Sequence, residues 1–390
     1  MLYDFDKQLD KGGTNSEKFD RRKQLFGRED VIPLWVADMD FPIAPEIMSA
    51  MKDRLEKGVF GYSYKNNSLH DAVIGWIDKR NNWAINPSWL LFTPGVVAGI
   101  VYALRAFSNE NGGIVIQPPV YPPFSRQTEL NGRKVINNPL VFKDGKFEID
   151  FDDLDKKLSE AEIFLFCNPH NPTGRVFSEE ELRKVGELCV KNNVLIISDE
   201  IHSDLIRKPN KHIHIASLSK EIADHTITLS ASGKSFNLSG ISASFAIIPN
   251  ERLRKKFEAE MNKLHIDQGA IFEAAAAEAA YRKGEEWLDQ CNAYIAENAD
   301  YVVDFLVKNI PAIKAYQPEG TYLMWLDFRD LGIPHEEIFK FLVNEAHLGL
   351  SNGEHFGHEG TGFMRLNIAT QKSVIKEAMD NLLSAYQRNF

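Results

Sequence analysis

Two stretches decide the fold: residues 194–202, V-L-I-I-S-D-E-I-H, and residues 226–240, T-I-T-L-S-A-S-G-K-S-F-N-L-S-G. Each opens with a short apolar run that predicts a β-strand, and each continues into polar residues. Asp199 ends the first run, and Lys234 follows the second. Taken singly, such residues are most often a helix cap and a solvated surface charge, so their meaning depends on the residues that accompany them.

Further apolar runs lie at residues 114–117, 163–167 and 245–248, with helical patterns between them. One helical pattern opens with Ser178 and Glu181, which have the spacing of a capping box. Strands that are apolar throughout and alternate with helices are typical of a parallel sheet covered on both faces. Ligands of such α/β sheets bind beyond the carboxyl ends of the strands, where the two stretches above place their polar residues.

The pattern changes after about residue 285. A long helical segment at 285–309 leads to P-E-G-T-Y-L-M-W-L-D-F, a further helix and G-F-M-R-L-N-I-A, which favours a smaller α+β domain. The first thirty or so residues are highly charged and indicate an arm. We predict three units: an N-terminal arm at 1–45 that packs with the small domain, a large domain at 46–285, and a small domain at 286–390.

The composition excludes several classes of function. The chain has 390 residues, 44% hydrophobic and 26% charged, with a net charge of -10, which argues against binding of nucleic acid or an anionic membrane surface. Cys167, Cys189 and Cys291 are odd in number and far apart, so we expect neither disulfides nor a metal site, and a cytoplasmic location. The polar N-terminus and the lack of a long apolar run predict no signal peptide and no membrane span.

Two turns follow predicted strands. T-P-G-V-V at 93–97 opens an apolar helix, whose first N–H groups, on Gly95, Val96 and Val97, can hold a phosphate. The alternative is a plain helix start. Q-P-P-V-Y-P-P-F clamps Tyr121 between prolines, so its ring can stack on a flat ligand. The alternative is a surface turn.

Two further segments carry polar recognition groups. C-N-P-H-N-P-T-G, at 167–174, forces an irregular loop in which Asn171 can offer its amide to an oxygen. Arg365 lies on a predicted strand and suits a substrate carboxylate, which a planar guanidinium binds through two hydrogen bonds. A structural turn and a surface ion pair are the respective alternatives.

Together these residues indicate pyridoxal 5'-phosphate (PLP). A lysine that can form a Schiff base and an aspartate that can hold a protonated ring nitrogen are what a protein supplies to this cofactor. Lys234 and Asp199 take those two roles, and the hydroxyls of Ser230 and Ser232 can help to hold the phosphate. No metal is predicted.

The ordered motifs resemble the fold-type I PLP enzymes, the aspartate aminotransferase superfamily, over residues 90–370. L-W-V-A-D-M-D-F at 34–41, V-F-G-Y-S-Y at 59–64 and K-S-F-N-L-S-G are similar to the narrower MalY/PatB branch of C–S β-lyases. The resemblance implies a large α/β domain with a mostly parallel seven-stranded sheet sandwiched by helices, and a smaller α+β C-terminal domain.

The resemblance also implies roles for further residues. Ala37 would lie beside the substrate carboxylate through its backbone, and Tyr62 would reach into the site of a partner subunit, so that a homodimer shares its active sites. His202 stands where aspartate aminotransferases carry a tyrosine, and Ser242 where they carry a phosphate-binding arginine. Both departures fit the lyase branch. Gly233 stands where many relatives carry serine.

Three functions are considered. A β-lyase would cleave cystathionine or cystine-type sulfur amino acids to a thiol or persulfide, pyruvate and ammonia. An aminotransferase, the alternative, would use the same catalytic groups. A non-enzymatic role through protein contacts is the third, and the intact Lys234 argues against it. The resemblance favours the lyase.

Overall fold

The strands predicted from the apolar runs are present in the computed structural model, which describes residues 2–265 and 271–390. The strands are β1 (Ile32–Pro33), β2 (Leu90–Thr93), β3 (Gly113–Ile116), β4 (Lys134–Asn137), β5 (Val141–Lys143), β6 (Lys146–Glu148), β7 (Ile163–Cys167), β8 (Leu195–Asp199), β9 (Thr226–Ala231), β10 (Ser244–Ile247), β11 (Lys314–Ala315), β12 (Leu323–Asp327), β13 (Leu348–Gly349), β14 (Ser351–Asn352) and β15 (Phe363–Asn367).

Helices lie between most of these strands, and the predicted capping box of Ser178 and Glu181 begins one of them. The α-helices are α1 (Arg22–Phe26), α2 (Pro45–Glu56), α3 (Asn67–Asn81), α4 (Val96–Phe107), α5 (Pro123–Leu130), α6 (Phe151–Leu158), α7 (Glu179–Lys191), α8 (Lys220–Asp224), α9 (Ser232–Ser235), α10 (Glu251–Leu264), α11 (Ile271–Lys283), α12 (Glu285–Asn309), α13 (His335–Lys340) and α14 (Lys372–Asn389). Short 3-10 turns and one π-turn (Phe341–Glu345) complete the helical segments.

A seven-stranded sheet has the order β2-β10-β9-β8-β7-β3-β4. β4, β3, β7, β8 and β9 pair in parallel, whereas β10 runs antiparallel to both β9 and β2. The carboxyl ends of the parallel strands and of β2 therefore share one edge with the amino end of β10. The expectation of a mostly parallel seven-stranded sheet is confirmed.

Both faces of this sheet are covered, and β7 is therefore buried along its whole length. Leu165 faces one apolar cluster, which includes Ile100 of α4. Phe164 and Phe166 face the opposite cluster and pack with Leu182 of α7. Successive side chains of a strand point to opposite faces, so a strand without polar residues needs helices on both sides.

A second sheet, β11-β12-β15-β14, is antiparallel and places Arg365 between Trp325 and Ser351 of the neighbouring strands. The N-terminal segment joins this part of the chain, because β1 pairs in parallel with β13. The Nδ2 of Asn367 donates to the carbonyls of Val36 and Asp38, each at 2.6 Å. The segment after β1 is thereby held beside the second sheet. The division at 1–45, 46–285 and 286–390 stays a prediction.

Among the described residues, no helix combines the length and the apolar character that crossing a membrane requires.

Leu229 of β9 tests the helix–sheet packing. It is fully buried, and its side chain lies so close to Gly99 of α4 that an added Cβ there would come within 2.9 Å of a Leu229 methyl. We expect Leu229→Ala to lower the free energy of unfolding by about 2–5 kcal/mol, because it leaves a cavity. Leu130→Ala, at a 69% exposed position, is the matched control and should change it by less than about 0.5 kcal/mol. Urea titrations measure both, and equal losses would contradict this account of the packing.

Candidate active site

A cavity of about 460 Å³ opens at the edge of the large sheet where β7, β8 and β9 end. Cys167, Asp199 and Ala231, the last residues of these strands, line it. Because β10 runs the other way, its first residue, Ser244, lines it too. Of the residues predicted for the site, those that line the cavity are Ala37, Gly95, Val96, Val97, Tyr121, Asn171, Asp199, His202, Lys234 and Arg365.

Lys234 lies in the short helix α9, directly after β9. Its Nζ donates to the carbonyl of Ala37 at 2.5 Å. Burial lowers the pKa of this amine to about 8, against the opposing effect of the Asp38 charge and with a smaller lowering effect of Arg365. An amine with a pKa near neutrality is available both as a nucleophile and as a base.

Asp199 is the last residue of β8 and is buried. Burial raises the pKa of its carboxyl to about 7, although the backbone N–H of Ile201, at 3.1 Å from Oδ1, and the charge of Lys234 act in the opposite direction. A buried carboxylate of this kind is stabilised by a cationic partner. A protonated ring nitrogen is such a partner.

His202 and Tyr121 also line the cavity. Burial lowers the pKa of His202 to about 3, and the charges of Lys234 and Arg365 add to this, so the imidazole is neutral. Burial raises the pKa of the Tyr121 hydroxyl, and its ring packs edge-on against Phe124. Both side chains therefore offer uncharged rings to a ligand.

Arg365 of β15 is a buried cation whose hydrogen bonds go to neutral acceptors. It donates to Asn171 Oδ1 at 2.8 Å, to the Trp35 carbonyl at 2.8 Å and to Ser351 Oγ at 3.1 Å. Its Nε is buried without a hydrogen-bond partner among the described residues. Burial lowers its pKa to about 10, which leaves it charged at neutral pH. A buried guanidinium in this state favours an anionic ligand.

The start of α4 presents backbone N–H groups to the cavity. The N–H groups of Val96 and Val97 belong to its first turn, where no preceding carbonyl of the helix is available to them. A Cβ added at Gly95 would meet nothing within 4 Å, so the backbone here opens into the cavity. Ser239 and Ser244 line the same cavity with neutral hydroxyls.

This donor set fits PLP. It has a buried carboxylate for the ring nitrogen, an amine for the aldehyde carbon, an aromatic face, and helix N–H groups for the phosphate. Arg365 remains for the carboxylate of an amino acid.

Comparison with known proteins places the chain in a family. The family model "Aminotransferase class I and II" matches residues 29–382. The chain is 42% identical to "Cystathionine beta-lyase PatB" of Bacillus subtilis (strain 168), over 98% of this chain and 99% of that protein. It is 32% identical to "Protein MalY" of Escherichia coli (strain K12), with the same coverage. The chain belongs to the MalY/PatB branch of the class I and II aminotransferase family. Among solved structures, cystalysin from Treponema denticola, whose crystal structure contains PLP, is 36% identical with a TM-score of 0.95, over the whole of both chains.

Three of the predicted site residues do not line this cavity: Tyr62, predicted from the resemblance, and Ser230 and Ser232, predicted from their hydroxyls. The Tyr62 side chain is 98% exposed. The Oγ of Ser230 lies 3.3 Å from the carbonyl of Glu200, to which it donates, and Ser230 lines a separate small pocket. Ser232 is fully buried. Their roles toward a cofactor stay predictions.

Sequence reasoning missed two residues that act on Lys234 or on its hydrogen-bond acceptor. Tyr322 donates its hydroxyl to the carbonyl of Ala37 at 2.9 Å, and this same carbonyl accepts from Lys234. Asp38 is the largest favourable charge acting on the Lys234 ammonium. The motif A-D-M-D-F marks Asp38 as unusual, but nothing in the sequence places it beside Lys234.

Asp199 makes the stability of the cofactor-free protein depend on pH. Its folded pKa of about 7 lies above the value of about 4 in an unfolded chain. Its contribution to stability is therefore fully present below pH 4 and is lost as the pH rises through 7. Asp199→Asn removes this loss. We therefore expect the free energy of unfolding of the variant minus that of wild type to be roughly 2–4 kcal/mol larger at pH 8 than at pH 5.

Denaturant titrations of the cofactor-free wild type and variant at both pH values measure this difference. The same difference at pH 5 and pH 8 would show that Asp199 is already ionised in the folded protein.

Proposed function

We propose that this chain is a PLP-dependent C–S β-lyase. It cleaves the Cβ–S bond of cysteine-type amino acids such as cystathionine and releases a thiol, pyruvate and ammonia. The observation that carries the proposal is the 42% identity, over the whole chain, to a protein named cystathionine β-lyase. The geometry supports it, because the groups that this chemistry needs lie in one cavity.

Lys234 and Asp199 act on the reacting atoms. When bound, PLP supplies an electron-withdrawing ring that accepts the electron pair left at the substrate Cα. Asp199 keeps the proton on the ring nitrogen, which strengthens that withdrawal. Lys234 would hold the cofactor through its amine, and the same amine, when free, would remove the Cα proton of the substrate. A pKa of about 8 suits this role, because the amine is then partly unprotonated at neutral pH.

The surrounding residues hold the cofactor and the substrate. Arg365 binds the α-carboxylate, oriented by the oxygen of Asn171, and the Asn171 amide nitrogen is left for the phenolic oxygen of the cofactor. Tyr121 stacks on the ring, and the uncharged His202 lies beside it. The phosphate is held by the N–H groups of Gly95, Val96 and Val97, all of which line the cavity. The Ala37 backbone lies beside the substrate.

The bonds balance without an oxidant. The Cα–H and Cβ–S bonds break, the sulfur leaves with the Cβ–S electron pair and takes a proton, and a Cα–Cβ double bond forms. Water then hydrolyses the released unsaturated amine to pyruvate and ammonia. An aminotransferase, the alternative, would instead return a proton to the cofactor and would need a keto acid to complete its cycle.

Pyruvate formation tests the lyase assignment. Purified holoenzyme supplied with cystathionine and no keto acid should release pyruvate and homocysteine in equal amounts, because elimination needs no amino-group acceptor. Lys234→Ala should lower turnover by more than a hundredfold. After borohydride reduction, mass spectrometry should find the cofactor attached to Lys234 in wild type and absent from the variant.

The outcomes separate the alternatives. Turnover that appears only when a keto acid is added would assign an aminotransferase. Attachment of the cofactor to another lysine would refute the role of Lys234.

We further propose that the enzyme is a cytoplasmic homodimer with shared sites and without nucleic-acid partners. The three cysteines are buried and form no disulfide, as expected in a reducing compartment. A short exposed aromatic segment, V-F-G-Y-S-Y at 59–64, includes Phe60, Tyr62 and Tyr64, which are 54%, 98% and 84% exposed. Large apolar side chains exposed side by side favour an interface. In a dimer with two-fold symmetry, Tyr62 would enter the cavity of the partner.

Subunit mixing tests this arrangement. Lys234→Ala and Tyr62→Ala should each be inactive alone. A mixed dimer contains one site with both native residues, so mixing should restore about a quarter of wild-type activity after random exchange. Mixing Lys234→Ala with Asp199→Asn is the matched control and should restore none, because both residues line the cavity of one chain. No recovery with the Tyr62 variant, after mass spectrometry has verified exchange, would place Tyr62 outside the partner's site.

A further inference from the structure

Glu17 brings a negative charge to the rim of the cavity. It lines the cavity together with Trp35 and Val36, and its side chain is 54% exposed. It forms an ion pair with Arg21, which is itself a surface residue with a 42% exposed side chain. Glu17 therefore lies where the cavity lining meets solvent.

The backbone around Glu17 is held in place. The next residue, Lys18, is fully buried, and its Nζ lies 3.0 Å from Asp40 Oδ1 and 3.3 Å from Asp38 Oδ1. The indole Nε1 of Trp35 donates to the carbonyl of Lys18 at 3.3 Å. A buried ion pair and a backbone contact on the neighbouring residue fix Glu17 at the rim.

Glu17 is the one charged residue of the described lining to which the proposed reaction assigns no role. Among the described residues of this chain, the charged side chains that line the cavity are Asp199, Lys234, Arg365 and Glu17. In the proposed function the first two engage the cofactor and Arg365 engages the α-carboxylate. His202 is neutral. The charge that remains for the part of the substrate beyond sulfur is that of Glu17, which Arg21 outside the lining partly compensates.

The direction of the substrate brings its leaving group to this rim. The amine of the substrate points to the cofactor at Lys234, and its carboxylate is held by Arg365. An Nη of that arginine donates to the Trp35 carbonyl at 2.8 Å, and Trp35 lines the cavity beside Glu17. With both α-substituents engaged, the sulfur substituent extends toward the opening.

We propose that Glu17 selects sulfur amino acids whose leaving group carries an ammonium, and disfavours those with a neutral or anionic leaving group. The proposal rests on the proposed lyase function and names its substrate class. Arg21 competes with the substrate ammonium for the same carboxylate, so it weakens the selection. Solvent and salt screen a pair at this exposed position, so the selection is modest.

Three substrates that differ in charge at one end test the proposal with the holoenzyme. S-(2-aminoethyl)-L-cysteine carries an ammonium, S-propyl-L-cysteine is its neutral counterpart of equal length, and S-(carboxymethyl)-L-cysteine is anionic. Pyruvate release gives kcat/KM for each. Wild type should prefer them in that order. In Glu17→Gln the ratio of the cationic to the neutral substrate should fall roughly two- to fivefold, mainly through KM.

Two further variants sharpen the result. Arg21→Gln should raise the same ratio, because it frees the Glu17 carboxylate. Glu29→Gln, at an exposed glutamate paired with Lys23, is the matched control and should leave the ratio unchanged. The difference between wild type and Glu17→Gln should shrink as salt is raised to 0.5 M, which a purely structural effect of the substitution would not do.

Binding without cleavage separates this inference from the proposed function. L-Lysine and L-norleucine have no C–S bond, and calorimetry with the holoenzyme gives their dissociation constants. Tighter binding of lysine than of norleucine in wild type, with a smaller difference in Glu17→Gln, supports the charge selection. This holds even if no pyruvate forms from any sulfur substrate, an outcome that would refute only the lyase function. An unchanged ratio in Glu17→Gln refutes the role of Glu17. An equal change for all three sulfur substrates would assign its effect to the α-carboxylate and would also overturn the proposal.

Discussion

The parallel pairing of β8 with β9 is the constraint on which the site depends. Its register sets Asp199 opposite Leu229, so a carboxylate ends one strand while the next strand continues toward Lys234. Burial shifts the pKa of the carboxyl up to about 7 and that of the amine down to about 8. Burial causes both shifts, and the charge of each group acts against the shift of the other. A cationic ring nitrogen would be stabilised by this carboxylate, and an amine at this pKa can act as a base.

A second buried carboxylate lies next to Asp199 and has the opposite character. Glu200 accepts hydrogen bonds from the rings of His212 and His214, and Ser198 donates to its other oxygen. The charge of His214 and these hydrogen bonds lower its pKa to about 2, in spite of burial. The pKa values of Glu200 and Asp199 thus shift in opposite directions, because Glu200 is surrounded by hydrogen-bond donors whereas Asp199 faces the cavity. The charge of Glu200 adds to the raised pKa of Asp199.

The N-terminal segment closes the cavity from the side of the second sheet. The carbonyl of Ala37 accepts hydrogen bonds from Lys234, beyond the large sheet, and from Tyr322, before β12. Asn367 of β15 fixes the carbonyls on either side of it, those of Val36 and Asp38. One extended segment therefore couples the lysine to the sheet that carries Arg365, and a change in its position would move the amine and the carboxylate site together.

The sequence by itself determined five strands of the large sheet, several helices and the central pair of Asp199 and Lys234. Apolar runs and the Ser178–Glu181 box predicted strands and helices to within a residue or two, because periodicity and caps are local properties of the chain. Strand ends also predicted that Asp199 and Lys234 share an edge, because parallel strands end together. The antiparallel direction of β10, which adds Ser244 to the lining, was not visible, since a short apolar run has no direction.

Only the tertiary structure decided the contacts between distant segments. Glu17 lines the cavity, Tyr322 donates to the Ala37 carbonyl that also accepts from Lys234, and the charge of Asp38 acts on Lys234. These residues come from separate parts of the chain, and no local pattern reports such a meeting. It also turned the Oγ of Ser230 toward the carbonyl of Glu200, and left Tyr62 on the surface of the single chain. The physical reason is that local sequence determines backbone preference and polarity, whereas the burial that shifts a pKa and the direction of a side chain depend on what other segments bring to the same place.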